Sequence, residues 1–183
     1  MQVKGKNKLL IAWAIYSSYI VLGFSLVAII YMNDLALRDW LKDFMTILLV
    51  GGFFLLVLAS LIKARKKLKI YVVAILGLVL TFSFVITVLV LLFIRALFYT
   101  PEHTTVLNNK KYTVEVDNFL ELRVDYYDYM GPFIRGNKRK VIAEFNNGGP
   151  DPFEKSYEGE VTYRFFDDNG NENSKEKAYF KAD

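Results

Sequence analysis

Three apolar runs, 9–31, 44–62 and 70–94, constrain this chain more than any other feature, because none of them contains an Asp, Glu, Lys or Arg. A helix needs roughly 20 apolar residues to cross a bilayer, and each run is of that order. The third would rise about 37 Å as a helix, more than the roughly 30 Å of hydrocarbon, which predicts tilt or protrusion. With 54% hydrophobic residues among 183, the composition is that of a membrane protein rather than of one small soluble domain.

The connections between the runs differ in charge, and that difference sets an orientation. Lys63, Arg65, Lys66, Lys67 and Lys69 crowd the loop 63–69, which has no acidic residue. Basic residues beside span ends stay on the cytoplasmic side, so this loop and the amino terminus, with Lys4, Lys6 and Lys8, are expected inside. The first run is longer than a secretory signal core and lacks a small-residue cleavage site, so it reads as a retained anchor. Residues 32–43 carry Asp34, Asp39 and Asp43 against Arg38 and Lys42. Leu37, Trp40, Leu41 and Phe44 fall at helical spacing, which predicts a helical lead-in to the second span or a helix lying in the interface.

Beyond Pro101 the pattern changes to alternation at period two. Thr104–Leu107 and Lys111–Val116 flank Asn108-Asn109, a pair suited to a tight hairpin turn because Asn tolerates positive φ. One-face apolar sets recur in Leu120, Leu122, Val124 and Tyr126; in Val141, Ala143 and Phe145; in Val161, Tyr163 and Phe165; and in Ala178 and Phe180. The expected fold is therefore a three-helix transmembrane region, 1–99, followed by a small all-β antiparallel domain, 100–183, built as a sandwich or partly open barrel outside the cytoplasm. The segments 146–152 and 167–174 read as loops.

Within the spans, Ala14 with Ser18 and Gly77 with Thr81 have the spacing that lets helices approach closely, and Gly51-Gly52 adds a third small site. These are the candidate helix-packing positions. Trp13, Tyr16 and Tyr31 have the character of interfacial rings, and Arg95 of a snorkelling cation. Ions and charged solutes usually require ionisable groups at the midplane, and the spans carry none.

The densest aromatic stretch outside the spans is 126–133. Alternation directs Tyr126 inward and leaves Tyr127 and Tyr129 on the other face, near Phe133, as candidate partner anchors. Arg135, Lys138, Arg139 and Lys140 follow. If Gly136-Asn137 were a two-residue turn, Arg135 and Lys138 would face each other, a like-charge conflict that an anionic surface would relieve. Tyr127, Tyr129, Phe133, Arg135, Lys138, Arg139 and Lys140 thus form the candidate partner-binding set.

Catalytic chemistry has little to build on. The chain has no Cys and one His, His103, so disulfides, thiolate chemistry and multi-histidine metal sites are excluded within one chain. No catalytic residue, metal site or cofactor is assigned. Asp167-Asp168-Asn169-Gly170-Asn171 offers oxygen ligands but lacks the calcium-loop spacing, so a hydrated tip is expected. Residues 1–99 hold eleven Lys/Arg against three Asp/Glu, and residues 100–183 twelve against sixteen. The positive excess thus borders the spans, which argues for lipid rather than nucleic acid as its partner. Abundant Lys, Asn, Ile, Phe and Tyr suit an AT-rich bacterial genome.

These readings converge on a non-enzymatic, multi-pass plasma-membrane protein with an extracellular β-domain. That domain would bind or sense an envelope or extracellular partner, as an accessory, regulatory or immunity component of a larger membrane assembly. Expected partners are the bilayer, a membrane protein or a second copy, and a peptide, glycan or anionic envelope ligand. A protomer of an oligomeric transporter or channel is the alternative, and an envelope-acting enzyme a more distant one.

Overall fold

The computed structural model describes residues 4–65, 68–118, 121–146, 149–154 and 157–181, with backbone alone for 4–7. Lys66 and Lys67 of the basic loop, Leu120, and Asn147-Gly148 lie outside the described residues, as do the side chains of Lys4 and Lys6. The described residues form three helices, α1 (Lys4–Met32), α2 (Asp39–Ala64) and α3 (Ile70–Leu97). They also form seven strands: β1 (Leu35–Leu37), β2 (Glu102–Leu107), β3 (Lys110–Asp117), β4 (Arg123–Tyr129), β5 (Ile134–Phe145), β6 (Glu158–Phe166) and β7 (Glu172–Lys181). Two compact units result: Met1–Leu26 with Lys42–Tyr99, and Val27–Leu41 with Thr100–Asp183. The expected division at 99/100 follows chain order; the compact units do not, because the first helix connection clusters with the sheet.

All three helices are long and apolar enough to cross a membrane, and none of their most apolar windows is buried. A long apolar helix whose side chains stay largely exposed in its own chain has lipid as its matching solvent. Helices α1 and α2 meet through polar atoms. Trp13 Nε1 donates to Ser60 Oγ at 3.2 Å, Tyr16 Oη to the Leu49 carbonyl at 2.6 Å, and Tyr19 Oη to the Met45 carbonyl at 3.0 Å. Trp13 and Tyr16, expected as interfacial rings, are therefore interhelical donors, which suits a setting where no water satisfies an N–H or O–H. Gly52 allows this approach, since a Cβ there would lie 3.0 Å from the Tyr16 ring. A Cβ at Gly51 would meet nothing within 4 Å, one at Gly77 would lie 3.9 Å from the Leu61 side chain, and Ala14, Ser18 and Thr81 are exposed. Thr81 bonds back to the Gly77 carbonyl at 2.9 Å. Arg95 pairs with Asp43 at 2.9 Å and lies over the Tyr99 ring.

The sheet runs β2-β3-β4-β5-β6-β7, antiparallel throughout, with β1 joined to β5. It curls into a half-barrel, the partly open form of the expected fold. Asn108 and Asn109, at φ 49 and 61, make the β2–β3 turn as the left-handed tolerance of Asn requires. The concave core is the alternating set Tyr112, Val114, Val116, Val124, Tyr126, Val141, Ala143, Phe145, Val161 and Tyr163, closed by Leu122 and Tyr157. Phe165 and Phe180 pack against it partly buried, whereas Ala178 is exposed because β7 is an edge strand with one neighbour. The last turn is tighter than expected, since Glu172–Ser174 already belong to β7.

Candidate functional site

The fold converges on β5, whose twelve residues hold three other strands. Its C-terminal half lies between β4 and β6, pairing Val124 with Ala143 and Ala143 with Tyr163. Its N-terminal end pairs with β4 through Arg135 and Tyr129 and with β1 through Leu35↔Gly136, Ala36↔Arg135 and Leu37↔Ile134. The segment expected as a helical lead-in is therefore a strand up to Leu37, and the helix starts only at Asp39. The local reason is Asp34, whose φ of 56 ends α1 in the left-handed conformation that Asp adopts more readily than most residues. The distant reason is burial: Ala36 and Leu37 are 2% and 4% exposed, which a solvated lead-in cannot provide.

Polar contacts finish the seat of this connection. Asn137 N–H donates to the Asp34 carbonyl at 2.9 Å and Arg38 N–H to the Phe133 carbonyl at 3.0 Å. Trp40 Nε1 donates to the Pro132 carbonyl at 2.9 Å. Glu102 of β2 accepts from the Arg38 guanidinium and, at 2.8 Å, from the Asp39 backbone N–H. The carboxylate thus caps the N-terminus of α2, where unpaired N–H groups and the helix dipole favour negative charge.

The candidate partner residues separate into buried and exposed groups. Tyr127 and Arg135 are 6% and 5% exposed. The Arg135 guanidinium lies 3.8 Å from the Tyr127 ring centroid and bonds Glu115. Burial pushes the Tyr127 hydroxyl above its ordinary pKa. Neither is a surface anchor. Alternation does turn Tyr127 away from the core, but Arg135 from the adjoining strand covers it. Gly136-Asn137 is no turn: β5 runs straight through, with register shifts along its pairing to β4. A Cβ at Gly136 would come within 3.3 Å of the Asp128 backbone nitrogen, so the glycine serves close strand approach.

The remaining candidates reach the surface, and their charges are matched. Lys138 pairs with Asp34 at 2.8 Å, Arg139 with Asp125 at 3.2 Å, and Lys140 with Asp168 and, at 3.9 Å, Asp128. The expected like-charge conflict is therefore absent, and no anionic surface is needed to resolve it. Burial holds the Asp125 carboxyl above its ordinary pKa despite the arginines beside it. Tyr129 is half-buried under Lys111, 4.1 Å from the ring. Phe133 is 54% exposed, with its ring 5.5 Å from that of Trp40.

On the β6 side of β5, residues 137–140 fall between the rungs paired to β1 and those paired to β6. An open cleft of ≈ 330 Å³ lies there, lined by Asn137, Lys138, Arg139, Ile142, Phe166, Asp168, Asn169 and Gly170. Asp167 shapes its rim by accepting the N–H groups of Asn169 and Asn171, each at 2.8 Å. These bonds, Asn171 first, hold its carboxyl below the ordinary value. Sequence reasoning missed Ile142 and Phe166 because the cleft forms only when β1 stops short of β6.

His103, the single His of the sequence, belongs to β2. Its Nε2 donates to the buried Asp151 carboxylate at 2.7 Å, whose other oxygen accepts the Phe153 N–H at 2.8 Å. Glu154 places a third ligand-type atom within 4.8 Å. Both Asp151 oxygens are already engaged, so the group braces the 151–154 turn against β2. Comparison with protein-family models, curated proteins and solved structures finds no match to this chain.

Proposed function

We propose that this chain is a non-enzymatic, multi-pass plasma-membrane protein, with its amino terminus and basic loop in the cytoplasm and its half-barrel outside. On this reading the half-barrel binds or senses an envelope or extracellular partner on behalf of a larger membrane assembly, in an accessory, regulatory or immunity role. The observation that carries the reading is the sharing of β5. One stretch of it lines the open cleft, and the adjoining stretch holds β1, whose two ends run directly into α1 and α2. A partner seated in the cleft would meet Asn137 and Lys138, and both contact Asp34, two residues past the end of α1. Occupancy would thus compete with, or reinforce, bonds that set the α1–α2 connection. The matched ion pairs beside Ile142 and Phe166 suit a peptide or glycan with mixed polar and apolar groups.

The test is site-specific photocrosslinking in cells. A photoreactive residue at Asn169, on the cleft rim, should trap a defined partner that the same residue at Lys177, out on β7, does not. Lys138→Glu should abolish that product while the protein still enters the membrane. Identical products from both positions, or a product indifferent to Lys138→Glu, would remove the cleft from the reading.

A further inference from the structure

The β4–β5 connection, Met130-Gly131-Pro132-Phe133, is the apolar tip of an otherwise charge-matched surface. Met130 is 52% and Phe133 54% exposed, and among the described residues neither packs into the half-barrel core. A tip of this kind on a solvated domain would hold two large apolar side chains in water, which is unfavourable by the area they expose. Its position points to another surrounding. Trp40, against which Phe133 packs, is the second residue of α2, and its indole N–H is satisfied by the Pro132 carbonyl. The Arg38 N–H holds the Phe133 carbonyl from the same connection. The tip is therefore tied by two backbone carbonyls to Arg38 and Trp40, at the start of a helix long and apolar enough to span a bilayer.

Residues at the end of a span occupy the headgroup layer, and Trp is the side chain most suited to it, with an apolar ring and one polar edge. Tyr31, one residue before the end of α1, is 53% exposed at the other end of the same connection. With Trp40 at that depth, the Phe133 ring packed on it reaches the same layer, and Met130, directly after β4, opens the same short connection.

We infer that the Met130–Phe133 tip is a membrane-interface anchor, inserting Met130 and Phe133 beside Trp40 into the headgroup and upper acyl region of the bilayer the helices cross. This rests on the membrane-spanning reading above. The occupant is lipid, and the apolar side chains recognise it by burial rather than by a specific headgroup. The anchor sits at the start of β5, so it fixes the strand that carries both β1 and the cleft.

The chain contains no Cys, which makes single-site labelling direct. Met130→Cys, Asn169→Cys and Leu55→Cys would each carry an environment-sensitive nitrobenzoxadiazole dye on the full chain in phosphatidylcholine liposomes. Quenching is then read with lipids bearing a nitroxide either near the headgroup or deep in the acyl chain. The Met130 dye should emit to the blue of the Asn169 dye and be quenched several-fold more by the shallow nitroxide. Adding Phe133→Ser should shift it towards the Asn169 values. The Leu55 dye, in the middle of α2, should be quenched by the deep nitroxide. Leu55 quenched with Met130 indistinguishable from Asn169 would overturn the anchor and leave the spanning reading intact; Leu55 unquenched would overturn both.

Discussion

The two connections between the helices are built on opposite principles. The α1–α2 connection gives up solvent: Ala36 and Leu37 are buried, its backbone pairs with β5, and its cations and anions are matched to the sheet. The α2–α3 connection keeps its charges: Lys63, Arg65, Leu68 and Lys69 are exposed, and among its described residues none belongs to a strand. One connection is held by tertiary structure, so its residues are constrained by what they touch. The other has no strand pairing among its described residues, and its sequence stands out for its net charge. Buried pairing specifies a place in a fold, whereas concentrated like charge beside a span specifies a side of a membrane.

The largest test of this contrast is sidedness. In intact cells a membrane-impermeant maleimide should label Asn33→Cys and Asn169→Cys but reach Leu68→Cys only after lysis. Labelling of Asn33 and Asn169 on opposite sides would break the β1–β5 pairing itself, whereas labelling of Leu68 alone would reverse the orientation and keep the pairing. The next effect is energetic. Arg135→Ala takes the guanidinium away from the largely buried Glu115 carboxylate and uncovers Tyr127, for a loss of up to about 3–5 kcal/mol in denaturant unfolding of the sheet. Arg135→Met, which keeps the cover over the ring, should cost less than Arg135→Ala. A comparable loss from both would place the stabilisation in the charge alone.

Within the connections themselves, Leu37→Ala removes a buried side chain and should destabilise the half-barrel by about 2–3 kcal/mol. Leu68→Ala in the other connection should stay within about 0.5 kcal/mol. Equal effects would erase the contrast between the two connections.

The smallest effect is the response to acid. The folded pKa of Asp125 lies above its unfolded value, so its ionised form opposes folding. Stability from this group is gained as pH falls through the raised folded value and is complete below the unfolded one. Asp167 has the opposite sign: its contribution is present above the ordinary aspartate value and is lost as pH falls through the depressed folded value. Carboxyl NMR titration of the full chain in detergent, selectively labelled at Asp, should find the Asp125 midpoint above and the Asp167 midpoint below that ordinary value.

Local signals in the sequence were read correctly wherever the structure answers to local physics. The three apolar runs, the Asn108-Asn109 turn and the inward set from Leu122 to Tyr163 depend on residues within a few positions of one another. What escaped depends on contacts made across the chain. Leu35-Ala36-Leu37 carries no strand signal of its own and becomes a strand because β5 offers an edge. Arg135-Gly136-Asn137 has turn composition, yet lies within β5 because β1 and β4 pair with it on either side. Tyr127 alternates outward as expected and is buried by Arg135. Glu102 caps a helix 63 residues earlier, a relation that no window along the chain contains. The same holds for the cleft, whose walls belong to β5 and the β6–β7 turn.

The distance between β1 and its partner also orders events during synthesis. Asp34 and Lys138, which close this pairing, lie 104 residues apart. The ribosome therefore releases both flanking helices, the basic loop and α3 before β5 exists. Until then Ala36 and Leu37 have no mate, and the long loop that the pairing closes makes it a slow, late contact. A nascent chain stalled before Ile134 would present the α1–α2 connection unpaired, with its apolar side chains open to chaperones and proteases. Docking of β1 thus ties the α1–α2 connection to the sheet only once β5 has been made.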